Sequence, residues 1–357
     1  MDTVATAEID LELNPESRLD VIDVTERIRQ RFGDCLLPYR KALYCSYHTT
    51  AGYLEQSLCA RLNYSRDSVQ SFVQSIHRLF PPEADYRHDQ LHLRTELSEA
   101  QRLEEPRNAD SHLTFIGSGL ANCVTYLNSP ETPVYFIDLD GIYGRTRRQR
   151  KTRVIGFTRE ESVAKTRISV PVSAHPIDAV NLKSLNLGLF EQLRLLLKKH
   201  GVENGRIDLA LAPNELHAGL TVNEYETLLM KHDLVDVLHN PVRFMAEKGR
   251  HMWRDPRAIP SKAINYAKYD LVQVVNEFLD ALGLSESFLE RIIGKFLAFP
   301  ASRFLWMKRK VSLLVSEPEG DGRSSIIQGL YQSPILVQWK KANCQTRHLN
   351  VTLVRFV

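Results

Sequence analysis

The histidines of the first half are the residues whose types and placement most directly suggest chemistry. His48 follows an apolar run at residues 42–45 that reads as a strand, His88 lies in the polar segment after Pro81-Pro82, and His112 ends the stretch Asn108-Ala109-Asp110-Ser111-His112. Imidazole is the commonest protein ligand for zinc and similar metals, and a catalytic zinc takes about three protein ligands with one position left open. His48, His88 and His112 would supply such a set. Their separations of 40 and 24 residues match no recognised local metal spacing, so spacing alone reads them equally well as surface or capping histidines. His77 sits within the helical pattern of Phe72, Ile76 and Phe80 and reads as structural, while the pattern leaves His92 undecided.

A second candidate is the basic run from Arg145 to Arg153, which also holds Arg147, Arg148, Arg150 and Lys151. Arginine forks bind phosphate bidentately, and neighbouring arginines can neutralise a diphosphate. A solvated strand edge kept basic against aggregation is the plainer reading. In a hairpin, alternation would send Arg145 and Arg147 to one side and Arg148 and Arg150 to the other, so only two or three can serve one site. The run lacks the interleaved aromatics of a nucleic-acid groove. Thr49-Thr50-Ala51-Gly52 is a short turn of the kind whose N–H groups and hydroxyls cradle an anion. There is no Walker, GxGxxG or GxSxG motif.

The elements that must position these residues are written twice. Tyr47-His48-Thr49-Thr50-Ala51-Gly52 matches Asn214-Glu215-Leu216-His217-Ala218-Gly219 at an offset of 167, which sets His48 opposite Glu215. Each copy follows an expected helix. The first begins at Asp23 with Glu26 as a capping box and stops at Gly33; the second carries Leu189, Leu193, Leu196 and Leu197 on one face and stops at Gly201. Both copies end in an expected hairpin, one through Thr146-Arg147-Arg148 and the other through Thr346-Arg347-His348. From the Ala-Gly step to the closing proline the second copy is 34 residues longer, 116 against 82. The excess falls in a helical pattern near 240–300 that includes Trp253, with Phe304 and Trp306 beside it; buried core is the commoner fate of such aromatics.

Composition bounds the reading. Hydrophobic residues at 43 % and charged residues at 25 % are globular proportions, which exclude disorder, collagen and coiled coil for the whole chain. A net charge of +3 makes no case for a nucleic-acid partner. No stretch approaches the roughly 18 uninterrupted apolar residues of a membrane span. The first ten residues lack the basic and apolar regions of a signal peptide. The five cysteines are scattered without a CxxC pair and read as reduced thiols. The expectation is a cytoplasmic protein without a membrane segment.

His48-Thr-Thr-Ala, Tyr86-Arg-His88-Asp, Asn108-Ala-Asp-Ser-His112-Leu, Gly117, Asp140-Gly141 and Arg145-Thr-Arg147 together resemble the YjbQ family of secondary thiamine-phosphate synthases. The resemblance covers about residues 8–157, with a weaker copy over about 167–356. It implies an α+β fold of two tandem YjbQ-like β-sandwich units with flanking helices, residues 1–165 and 166–357, the second degenerate and carrying the helical insertion. It also implies trimer-like homo-oligomeric packing and a weak ability to join the pyrimidine and thiazole phosphates of thiamine with loss of diphosphate.

Carried over residue by residue, the metal set is His48, His88 and His112, holding a divalent ion such as zinc. Thr49, Thr50, Asn108, Arg145 and Arg147 would surround a phosphorylated small molecule, with Arg148 beside them. Arg145 and Arg147 would steady the leaving diphosphate, and Asp89, Asp110 or Asp140 would orient a ligand histidine. Two departures stand out. The first copy lacks the family's Asn-Glu pair after His-Thr-Thr-Ala, whereas the second keeps it as Asn223-Glu224 and has Glu215 in place of the histidine. Either the halves share a composite site or the second is a scaffold, and the scaffold is the less demanding reading. The rival from another class is a non-catalytic binding or assembly module.

Overall fold

The computed structural model describes residues 6–82, 84–144, 146–239, 305–317 and 324–357. Arg145, Trp253, Phe304 and the insertion expected near 240–300 lie outside the described residues. The first half forms β1 (Ala7–Leu13), β2 (Asp20–Asp23), α1 (Val24–Phe32), β3 (Lys41–Ser46), β4 (Ala51–Gly52), α2 (Gln56–Arg61), α3 (Arg66–His77), α4 (Glu99–Glu104), α5 (Ala109–Gly117), β5 (Cys123–Leu127), β6 (Tyr135–Asp138), β7 (Ile142–Tyr143), β8 (Thr146–Arg147) and β9 (Arg150–Phe157). The second half forms β10 (Glu160–Pro171), β11 (Asp178–Asn181), α6 (Leu189–His200), β12 (Gly205–Leu211), β13 (Ala218–Glu224), α7 (Leu234–His239), β14 (Lys310–Ser316), β15 (Ser325–Ile327), β16 (Gln332–Gln338) and β17 (Thr346–Phe356). The class is α+β.

The same strand order appears twice. One sheet runs β1-β9-β3-β5 and another β10-β17-β12-β14-β15; the small sheets run β2-β6-β4 and β11-β16-β13. Taken element by element the orders coincide, with β15 added to the second. Register agrees as well: Ala51 and Asp20 both oppose Asp138, and Ala218 and Asp178 both oppose Gln338. Lys165 lies inside β10.

Chain packing groups the described residues into two compact units, each drawing on both halves. One draws its described residues from 6–56, 120–225 and 307–357 and holds the sheets; the other draws them from 57–119, 226–239 and 305–306 and holds α3, α4, α5 and α7. In the strand unit, Leu43, Cys45, Ile155 and Phe157 of the first sheet share a core with Leu314, Val354 and Phe356 of the second. The Phe157 and Phe356 rings stack 4.0 Å apart. Local signals sit where the sequence puts them. The Asp23 carboxylate accepts the Glu26 N–H at 2.9 Å, and Gly33, at φ 64°, ends α1 with its N–H on the Arg29 carbonyl. On α6, Leu189, Leu193 and Leu197 are buried.

In the helical unit every residue of α5 is buried, and α3 packs along it. Gly117 permits that approach, because a Cβ there would lie 3.0 Å from the Phe80 ring and 3.1 Å from Ile76. A short π-helical turn, Leu229–Asp233, leads into α7. No described helix is long and apolar enough to cross a membrane.

The stacked phenylalanines join the two large sheets. Phe356→Ala is expected to lower unfolding free energy by about 3–5 kcal/mol, as large cavities in close-packed cores do, measured by denaturant titration. A loss below about 1 kcal/mol would show that the stack does not hold the sheets together.

Candidate functional site

Within the helical unit, His88 and His112 come together. Both are buried, and their rings lie 5.3 Å apart between centroids at 60°. His112 stands one turn into α5, its N–H on the Asn108 carbonyl at 3.2 Å. His88 precedes Asp89, whose Oδ1 does two things. It contacts His88 Nδ1 at 2.9 Å and accepts the N–H of Ala109, the first residue of α5, at 3.0 Å. One carboxylate oxygen thus caps the helix carrying His112 and orients the ring of His88, where the helix dipole favours negative charge. With Nδ1–H donated to Asp89, the lone pair of His88 sits on Nε2, the form in which imidazole ligates metals.

The other histidines of this unit play different parts. His77 contacts Thr114 Oγ1 at 3.1 Å and lies 3.7 Å from Asp110, as a structural residue of the α3–α5 packing. His92 is exposed on a 3₁₀ turn, Leu91–Leu93.

His48 belongs to the strand unit. Its Nε2 accepts the N–H of Lys151 at 2.7 Å, while Asn122 and Gln332 side-chain amides donate to its carbonyl. Burial, reinforced by the charges of Arg150 and Arg148, pushes its pKa down to about 3. A neutral ring is what the accepted N–H demands. Gly329 allows this packing, since a Cβ there would collide with the Tyr47 carbonyl.

Beside His48, Arg150 is buried and forks onto Asp138, Nε to Oδ2 at 2.6 Å and a terminal nitrogen to Oδ1 at 2.7 Å. The same nitrogen reaches the Asp140 carbonyl at 2.9 Å and Thr50 Oγ1 at 3.3 Å. Burial raises the pKa of the Asp138 carboxyl, and the arginine fork offsets only part of that rise. Arg148 pairs with the buried Asp140 at 2.8 Å. Arg148 and Arg150 therefore share one side, as strand alternation predicts, while Arg147 is exposed. Thr49 is half-buried and Thr50 buried. Arg150 and Asp138 were legible in the sequence only as members of the basic run and the Asp-Leu-Asp end of β6.

The second half repeats this arrangement with its charges exchanged. Arg347 donates through Nε to Gln338 at 3.2 Å, through one terminal nitrogen to Glu215 at 2.8 Å and through the other to the Lys340 carbonyl. Glu215 also accepts the His348 N–H at 3.0 Å, as His48 accepts that of Lys151. Arg347 is thus the counterpart of Arg150. The sequence match of Thr346-Arg347-His348 with Thr146-Arg147-Arg148 is corrected, because the connection into β17 is three residues shorter than that into β9. Histidine with aspartate in one half becomes glutamate with glutamine in the other, and each buried arginine keeps a side-chain carboxylate. On β13, Asn223 is buried, its Oδ1 accepting the Glu224 N–H at 2.7 Å; Glu224 is half-buried opposite Gln332.

No family model and no curated protein matches this chain. Among solved structures it is similar to a YbjQ-like protein of unknown function from Sulfolobus solfataricus P2, at 15 % identity and a TM-score of 0.28, over 55 % of this chain and 99 % of that one. A hypothetical protein from Aeropyrum pernix K1 is similar at 16 % identity and TM-score 0.27, over 54 % and 98 %. An uncharacterized conserved protein of the yjbq/upf0047 family from Clostridium acetobutylicum is similar at 12 % identity and TM-score 0.26, over 53 % and 98 %. Each of those chains is spanned almost end to end and corresponds to about half of this one.

Two predictions follow from the strand unit. Asp138→Gln strands a buried guanidinium and should cost about 3–5 kcal/mol. Adding His48→Glu, the arrangement of the second half, should recover at least half of that loss in equilibrium unfolding; a double variant no more stable than the single one would sink the equivalence.

The second concerns pH. His48 is neutral when folded but takes a proton below its ordinary pKa of about 6.5 when unfolded. Between about pH 6.5 and 3 the unfolded state binds the extra proton, so stability falls as pH falls, by at most about 1.4 kcal/mol per unit from this residue. In His48→Gln, whose amide oxygen can accept the same N–H, that slope should flatten; an unchanged slope would refute the assignment.

Proposed function

We propose that the chain binds one divalent cation of the zinc class on His88 and His112 and acts on a phosphorylated or diphosphate small molecule, in a reaction of the thiamine-phosphate synthase type. The observation that supports this reading is the pair of buried imidazoles with a carboxylate fixed on Nδ1 of one. That donor set fits a borderline-soft ion such as zinc, because imidazole suits it and a carboxylate behind the ring raises ligand basicity. When bound, such an ion supplies Lewis-acid polarisation of a phosphoryl oxygen.

The chain's own residues do the rest by positioning. Asp89 holds the ring of His88, and Asn108 seats the first turn of the helix that carries His112. In the strand unit, Arg148 and Arg150 are already committed to Asp140 and Asp138. His48 serves as a backbone acceptor, so the proposal rests the cation on two histidines rather than the three that the sequence resemblance implies.

Elemental analysis of the full chain is expected to give one zinc-class ion per molecule, and His112→Ala should lose it. Because His112 is buried, the companion measurement is thermal unfolding of chelator-stripped wild type with added Zn²⁺, where a ligand that binds only the folded state raises Tm. No metal and no Tm shift would turn the reading to a non-catalytic binding module.

A further inference from the structure

Asp233 lies in the second half of the chain, at the end of the π-helical turn Leu229–Asp233, and nothing in the sequence pattern singles it out. It is almost wholly buried, with Leu229, Met230 and Leu234 of its own segment fully buried around it in sequence. Its two carboxylate oxygens are divided between successive main-chain groups of the first half. Oδ1 accepts the N–H of Arg87 at 2.9 Å, and Oδ2 accepts the N–H of His88 at 3.0 Å. These contacts cross 146 and 145 residues of sequence and lie wholly within the helical unit.

Removing a carboxylate from water is expensive unless it is well hydrogen-bonded, and a loop could be anchored more cheaply by a neutral amide or by backbone pairing. Here the charge is applied at one place, the peptide that carries His88. Two N–H groups on one carboxylate fix both the position and the tilt of that peptide, and so the direction in which the His88 side chain leaves the main chain. Asp89 then fixes the rotation of the ring. Main chain and ring are thus held by separate carboxylates, one from each half. π-helical insertions occur often at functional sites, and this one ends on the residue that makes the contact.

We infer that Asp233 is a positioning residue through which the second half of the chain presets His88 for metal binding, so that the site is composite and the second half is not merely a scaffold. The inference rests on the proposed cation site at His88 and His112. It makes a distinct claim: metal affinity depends on a carboxylate that never touches the metal.

The test uses the full chain, stripped with chelator and titrated with Co²⁺, whose visible absorption reports ligand geometry, and with Zn²⁺ against a chromophoric chelator. In Asp233→Asn one amide N–H would face an NH₂ group. Zn²⁺ affinity should fall about 10- to 100-fold, as loss of an outer hydrogen-bonding partner does. Stoichiometry at saturation should stay at one, and the Co²⁺ spectrum should change. Asp233→Glu should recover part of the affinity. An Asp233→Asn protein that folds, binds Zn²⁺ within about threefold of wild type and keeps the wild-type Co²⁺ spectrum would overturn the inference, while loss of metal in His112→Ala would leave the cation site standing. Wild type that takes up neither ion would overturn both. Amide exchange supplies a readout without metal: the Arg87 and His88 N–H groups should lose protection in Asp233→Asn ahead of the rest of the unit, and uniform loss would mark a merely structural role.

Discussion

A guanidinium that is buried must bring its counter-charge with it, and the strand unit is arranged around that requirement. Arg150 and Arg347 both lie inside, each at the start of the long strand that runs through a main sheet, and each reaches the small sheet of its own half. Because the guanidinium stays charged at any pH of interest, desolvation cannot be relieved by losing a proton. It is relieved by carboxylates and carbonyls at fixed distances. Those partners sit on the last residue of β6 or β16, on the carbonyl two residues past it, and in the turn before β4 or β13. The arginine therefore ties the turn, the small sheet and the main sheet to one another, and the register of each follows from where its fork can be satisfied.

This constraint explains why the two halves differ in residues and agree in geometry. What must be preserved is one side-chain carboxylate per arginine and one acceptor for the main-chain N–H that follows it. Asp138 and His48 satisfy the pair in one half; Glu215 satisfies both in the other, its Oε2 on Arg347 and its Oε1 on His348 N–H. Once glutamate takes both duties, a second carboxylate at the β16 position would be surplus buried charge, and a neutral Gln338 stands there instead, donating its amide to the Ser173 and His175 carbonyls. The exchange of His48 for Glu215 is thus compensation at a charged centre, without reference to a metal.

Much of this was legible in the sequence. Asp23 and Gly33 bound α1 because capping is a local matter of a side chain and the backbone beside it. The leucine face of α6 and the strand runs were readable from periodicity, and the 167 offset between Ala51 and Ala218 is the register the small sheets use. His88 and His112 stood out by type. Arg347 was misplaced by three residues because a motif match by eye follows letters, whereas pairing follows the length of the connection. Asp233 was invisible: an aspartate beside Lys231 and His232, with Asp236 a turn on, reads as one more polar position until the fold brings it to a peptide 145 residues away. The grouping of strands from both halves into one unit, together with α1 and α6, and of most other helices into another was equally hidden, since a repeat in sequence does not say which layer a segment joins.

The two units share one way of handling buried charge, arginine paired with carboxylate, and the helical unit adds a second. In the strand unit the buried carboxylates Asp138 and Glu215 meet arginine, and Asp140 meets Arg148; the centre is neutralised by the protein itself. In the helical unit Asp89 and Asp233 are directed to main-chain N–H groups and to an imidazole, and the buried Arg94 is engaged by Glu96 and Glu105. Hydrogen bonds from amides stabilise a carboxylate without a fixed cation beside it, so Asp89 and Asp233 hold the peptide and the ring of His88 whereas Asp138 and Glu215 hold a guanidinium.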